Sequence, residues 1–189
     1  GRSQTSNRID LKKSAYSERN LNIGTNKIFG LPYYTDNFDG PNDSTGLKSR
    51  GYLVYRRGGP AGTTFWFQGV PATFFAYNGS PDSYAGSNFN ATTGINNIDN
   101  WLVLPKKNIS ASDSLVFYSR SITGSTYTDS IRVMYSAAGD SVPEASWTEL
   151  GRFKVNVAGV WERKTFGAPS AGANARYAIR YCVVNGGPG

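Results

Sequence analysis

From position 33 onward, short runs of aromatic and β-branched residues recur between clusters of Gly, Pro, Asn and Asp. That pattern predicts strands at 51–56, 64–68, 73–77, 101–104, 114–120, 130–136, 148–155, 160–166 and 176–184. Within 130–136 the residues Ile131, Val133 and Tyr135 share one face, and Arg132, Met134 and Ser136 the other, the period-2 alternation of a half-buried strand. The last run behaves alike: Tyr177, Ile179, Tyr181 and Val183 oppose Ala178, Arg180 and Cys182. Strong turn signals stand at 57–62, 78–82 and 167–169, and no run of a dozen residues keeps a 3.6-residue period. The expectation is an all-β chain built as a two-sheet sandwich. Residues 1–30 carry no sustained apolar stripe and read as a polar N-terminal arm or a late-docking strand, docked through Ile23, Ile28 and Phe29.

Composition sharpens this picture. At 189 residues, one domain over 31–189 with a substantial core is expected. The 12 Tyr, 10 Phe and 4 Trp, interrupted by 22 Gly and 9 Pro, favour strands and turns over helices. A formal net charge of +7 attracts polyanions, whether nucleic acid, acidic glycan or membrane surface. Cys182 is the only cysteine, so an intrachain disulfide is excluded, and its place in a Tyr/Ile/Val run reads as a small buried hydrophobe. The chain has no histidine, which excludes Ser-His-Asp, Cys-His and His-based metal chemistry. No stretch approaches the ~20 apolar residues of a membrane helix. Gly1-Arg2-Ser3 reads as the start of a processed or trimmed chain.

Few residues form a chemical constellation. Glu144, Glu149 and Glu162 show no context for a glycosidase pair, and the Gly-rich loop at 58–62 lacks the Lys-Ser/Thr of a phosphate loop. Catalysis is not expected. The aromatic run Thr64-Phe65-Trp66-Phe67-Gln68, with Phe74, Phe75 and Tyr77, supplies mostly core rings; an exposed ring for stacking on a sugar is expected at Trp66 or Tyr77.

The segment Asn97-Ile98-Asp99-Asn100-Trp101-Leu102-Val103-Leu104-Pro105 resembles the Asn/Asp-Trp-Leu signature of the cleaved-adhesin and choice-of-anchor J domains. Thr35-Asp36-Asn37-Phe38-Asp39-Gly40 is similar to that family's opening strand, and residues 83–90 to the Asn-rich segment before the signature. The runs 114–120, 130–136 and 176–181 match its later strands in the same order. The resemblance implies a jelly-roll sandwich of the kind found in gingipain-type adhesins, exported and secreted or held at the bacterial cell surface. It also implies a further strand after Gly186-Gly187-Pro188-Gly189, and thus a longer parent protein. A structural calcium ion is implied near the opening acidic residue, with Asp39, Asp99 and Asn100 as ligands, although turn or strand-end hydrogen bonds account for the same residues. Four Asp-Ser tripeptides, with Ser44, Ser114, Ser130 and Ser141, look like the O-glycosylation acceptor of bacteria rich in such domains, and are equally ordinary turn chemistry. The sequons at Asn42, Asn78, Asn90 and Asn108 do not suit that setting.

The sequence therefore reads as a calcium-stabilised, non-catalytic extracellular binding module, monomeric in isolation, that recognises a glycan or protein through its loops. A rival is a small viral coat protein, since residues 1–20 hold Arg2, Arg8, Lys12, Lys13 and Arg19 against Asp10 and Glu18. A spacer or accessory domain of a larger hydrolase is the third.

Overall fold

The computed structural model describes residues 34–127, 129–141 and 146–188, together with the backbone of three short strands earlier in the chain. In chain order the strands are β1 Ala15–Tyr16, β2 Asn20–Ile23, β3 Asn26–Phe29, β4 Leu53–Arg56, β5 Phe67–Gln68, β6 Ala85–Gly86 and β7 Ile98–Val103. There follow β8 Lys107–Ile109, β9 Ser114–Ser119, β10 Ser130–Ser136, β11 Thr148–Lys154, β12 Glu162–Gly167 and β13 Gly172–Val183. Among the described residues one α-helix, α1, spans Ser44–Ser49, and a single 3-10 turn spans Phe89–Ala91. Every pairing is antiparallel.

The larger sheet has the order β11-β10-β13-β7-β4, with β8 added on β13, and the smaller has β1-β9-β12. Strands β9 and β12 of the small sheet bracket the hairpin β10–β11 of the large one, so the chain crosses between sheets as a jelly-roll sandwich does. The inner faces meet in a core of Leu102, Leu104, Leu115, Phe117, Val133, Tyr135, Tyr177, Ile179 and Tyr181. The alternation expected in β10 and β13 is the one observed: Val133, Tyr135, Tyr177, Ile179 and Tyr181 all face this core.

The outer faces are covered too, where the sequence runs apolar without alternation. In β7 Leu102 faces the core, while Trp101 and Val103 join Met134, Ala178 and Trp147 in a second cluster on the far side of the large sheet. Trp101 and Trp147 meet edge to face at 5.8 Å. In β9 Leu115 and Phe117 face the core, yet Val116 and Tyr118 on the opposite face are 2 % and 5 % exposed. A strand covered on both faces reads as a continuous apolar run.

Helix α1 has no counterpart among the predicted elements, because six residues are too few to display a helical period. Asp43 caps it by accepting from Gly46 N at 2.7 Å. Gly46 itself is sterically required, since a Cβ there would lie 2.1 Å from the Pro41 carbonyl oxygen. The strand expected at 73–77 does not form; that run is a loop, and of 64–68 only Phe67 and Gln68 pair. Its rings are spent on other rings rather than on a ladder. Cys182 lies half-buried on the outer side of β13, not in the core. Of the expected arm at 1–30, β1 pairs with β9 and β2 with β3; the rest, like Glu144, lies outside the described residues.

Candidate functional site

The opening loop is organised around Arg50. Its Nε donates to Asp36 at 2.9 Å, Nη1 to the carbonyls of Pro41 and Gly46, and Nη2 to Asn42 Oδ1 at 2.6 Å. Asn42, fully buried, donates to the Phe38 carbonyl at 2.7 Å, and its own N–H donates to Gln68 Oε1 at 2.8 Å. Asp39 is exposed and accepts from Ser83 Oγ at 2.9 Å. With Gly40, Pro41, Asn42, Asp43, Gln68 and Asp82 it lines a shallow, open pocket.

Asp99 and Asn100 are not in that lining. They are consecutive residues of β7, and consecutive side chains of a strand leave by opposite faces. Asp99 goes outward and takes two bonds from Arg180, 2.6 Å from Nε to Oδ1 and 2.8 Å from Nη2 to Oδ2. This bidentate pairing raises the Arg180 pKa, and the guanidinium also lies 4.9 Å over the Trp101 ring. Asn100 goes inward, is 1 % exposed, and its Nδ2 donates to Ser87 Oγ at 3.0 Å. The three expected calcium ligands are therefore not gathered into one shell. Among the described residues, no group of three or more His, Cys, Asp or Glu is placed to hold a metal ion.

The aromatic residues divide differently from the expectation. Trp66 is 8 % exposed and donates its indole N–H to the Trp101 carbonyl at 3.2 Å, so it is a core ring and offers no face to a sugar. Tyr77 is half-buried and stacks on Tyr118 at 4.2 Å. Around this pair lies a larger assembly on the outer face of the small sheet. Phe74 stacks on Tyr84 at 4.9 Å and both meet the edge of Trp161 at 5.8 Å. The Tyr84 hydroxyl donates to Val70 O and accepts from Val70 N, tying down the loop start; burial raises its pKa. Trp161 donates its indole N–H to the Phe75 carbonyl at 3.1 Å. Arg120 lies over Phe74 at 4.2 Å and near Trp161 at 5.9 Å. Phe75, Val160 and Ile122 remain 66 %, 53 % and 51 % exposed at this end of the sandwich.

Sequence reasoning counted Phe75 among the aromatic cluster but expected the exposed ring at Trp66 or Tyr77, and it missed Arg120 and Trp161. The available signal was parity: Tyr118 and Arg120 share one side of β9 and its extension, and Trp161 and Arg163 one side of β12. The β9–β12 register that joins those sides, Tyr118 opposite Arg163, is not written in either strand.

The four Asp-Ser tripeptides separate by exposure. Ser44 opens α1, Ser114 and Ser130 open β9 and β10, and all three are half-buried; Ser141 is exposed. Each Asp has a structural use: Asp43 caps α1, Asp113 accepts from Ser110 N at 2.9 Å, Asp129 accepts from the Tyr181 hydroxyl at 2.7 Å, and Asp140 pairs with Ser136 Oγ.

No protein-family model matches the chain, and no curated protein matches it. Among solved structures, the chain is similar to the K1 cleaved adhesin domain of Lys-gingipain from Porphyromonas gingivalis W83, with 17 % sequence identity and a TM-score of 0.46. The alignment covers 70 % of this chain and 90 % of that one.

Proposed function

We propose that this chain is a non-catalytic binding module of a secreted or cell-surface protein, recognising a glycan or an extracellular protein. The observation that carries the reading is the aromatic surface on the small sheet. Ring contacts and the Trp161–Phe75 hydrogen bond hold a loop rigidly in place, yet leave Phe75, Val160 and Ile122 facing solvent. Packed rings beneath and exposed apolar tips above form a preorganised contact surface, and preorganisation lowers the ordering cost of binding. No helix among the described residues is long and apolar enough to cross a membrane. A broad glycan array, with an extracellular-matrix protein panel beside it, tests the proposal. Binding that Phe75→Ala weakens supports it; background signal on both sets reduces the module to a spacer.

Calcium belongs to this reading only at Asp39, the one of the three expected ligands that lines the open pocket of the opening loop. On metal-stripped protein, excess calcium is expected to raise the Tm and Asp39→Asn to abolish the rise. An unmoved Tm removes calcium from the reading. Modification of the Asp-Ser acceptors is proposed at Ser141, the exposed one, and a mass shift confined to that serine in protein from the native host is the expected result.

A further inference from the structure

Two arginines stand on the outer face of the small sheet, and neither meets a carboxylate among the described residues. Arg163 is exposed, sits opposite Tyr118 in the β9–β12 ladder, and spends one N–H on Thr165 Oγ1 at 2.7 Å. Arg120 follows the last paired residue of β9, Ser119, which places it diagonally across from Arg163, at about 7–8 Å between such positions in an antiparallel ladder. Among the described residues its one hydrogen bond is long, 3.4 Å from Nε to the Ser121 carbonyl, and the planar fork of Nη1 and Nη2 has no acceptor there. The carboxylate next to Arg163 in the chain, Glu162, lies on the other side of β12, bound by Lys164 at 2.8 Å and by Asn156 at 2.7 Å. Elsewhere Arg50, Arg132 and Arg180 each have an acidic partner.

The position of Arg120 is built rather than accidental. Phe74 and Trp161 flank its guanidinium, and the 156–160 loop closes on it: a Cβ at Gly159 would lie 2.0 Å from Thr123 Oγ1 and 3.3 Å from Arg120 Nη2. Burial lowers the pKa of this arginine, opposed by the nearby Tyr84 hydroxyl, as befits a cation partly stripped of water. Holding a cation that way costs free energy that an incoming oxyanion offsets, most effectively through the two-pronged geometry of a guanidinium. Phe75, next in the chain to the Phe74 ring beneath Arg120 and held through its carbonyl by the Trp161 indole, is itself 66 % exposed and supplies an apolar plane on the same loop.

We propose that this face, between the 69–84 loop and the edge strand β12, binds an acidic polysaccharide. Arg120 and Arg163 take its carboxylate or sulfate groups, and the Phe75 ring takes the apolar face of an adjoining sugar. The proposal rests on the binding-module reading and names its ligand class. The net charge of +7 supplies the long-range attraction, and the two arginines supply the register.

The test uses the intact chain on immobilised alginate, which carries carboxylates, and heparin, which carries sulfates, with neutral dextran as reference and poly-glutamate and duplex DNA as competitors. The double variant Arg120→Gln/Arg163→Gln is compared with Lys48→Gln/Lys154→Gln, which removes the same charge elsewhere. Arg163→Gln alone, an exposed site, guards against misfolding of the double variant. The arginine pair is expected to lose about tenfold in affinity and the lysine pair less than about twofold, as local contact rather than net charge requires. Phe75→Ala is expected to weaken binding without altering its salt dependence. Which polymer binds tells carboxylate from sulfate. Equal loss in both double variants, or displacement by poly-glutamate or DNA at concentrations where soluble alginate and heparin do not displace, overturns the proposal. Binding to neutral glycans alone also overturns it while leaving the binding-module reading intact; binding to no glycan or protein removes both.

Discussion

Arg50 donates to four acceptors at once, Asp36, Pro41, Asn42 and Gly46, and so fixes a loop that contains few other regular bonds. Phe38, inside that loop, is 1 % exposed at a φ of 52°, a left-handed conformation that a non-glycine residue keeps only when its surroundings over-determine it. Arg50→Ala leaves Asp36 Oδ2 and Asn42 Oδ1 buried without the donor they share, and is expected to destabilise the fold by about 2–4 kcal/mol, read from chemical denaturation. The pair Asp99–Arg180 behaves alike. Asp99→Ala strands a guanidinium that is only 22 % exposed, at a cost of about 3 kcal/mol, and the loss is expected to be the same in calcium and in chelator. A loss that disappears in chelator would instead make Asp99 a metal ligand. Neither role was legible in the sequence, where Asp99 and Arg180 stand on different strands and Arg50 resembles any basic residue near a turn.

Among the elements, the 69–84 loop depends most on tertiary contact. It joins β5 to β6, closes on itself through turns such as Ala76 N to the Pro81 carbonyl and Ser83 N to the Ser80 carbonyl, and adheres through Phe74, Tyr77 and Tyr84 to Trp161 and Tyr118. Trp161→Ala removes the ring that two of these contacts share, together with the hydrogen bond to Phe75. Amide exchange across 70–82 is expected to accelerate at least tenfold, while β10 and β13 keep their protection, because local opening draws on local contacts. Uniform acceleration would mean that the loop is part of the global fold. Helix α1 responds to Gly46→Ala in the opposite sense to usual helix propensity: the added methyl collides with the Pro41 carbonyl, and about 1–3 kcal/mol of destabilisation is expected by denaturant titration.

For the whole molecule, the absence of histidine shapes the response to pH. Hydrogen bonds from Ser136 lower the Asp140 pKa below its ordinary 3.8, and Lys164 lowers that of Glu162 below 4.5. A depressed carboxylate stabilises fully above its unfolded pKa and loses that contribution as pH falls through the folded value. Burial, with the nearby Asp129 charge, raises the Tyr181 pKa above its ordinary 10.0; that contribution is complete below pH 10 and is lost as pH rises further. The Tm is therefore expected to be level between about pH 5 and 9 and to fall on both sides. A step near pH 6.5 in a thermal-shift series would contradict this.

Alternation is a local property, so the strands β10 and β13, with their inward sets Val133, Tyr135, Tyr177, Ile179 and Tyr181, were determined by the sequence alone. So were the all-β class and the exclusion of histidine chemistry. Tertiary structure decided what depends on register and coverage. The second layer on the large sheet needed Trp147 to arrive from the segment just before β11, Asp99 and Asn100 were parted by the pleat of β7, and Arg120 and Arg163 came together only through the β9–β12 ladder. A side chain's face is set by its own strand, whereas what lies across from it is set by pairing between segments far apart in the chain. That pairing leaves no mark in either segment taken alone.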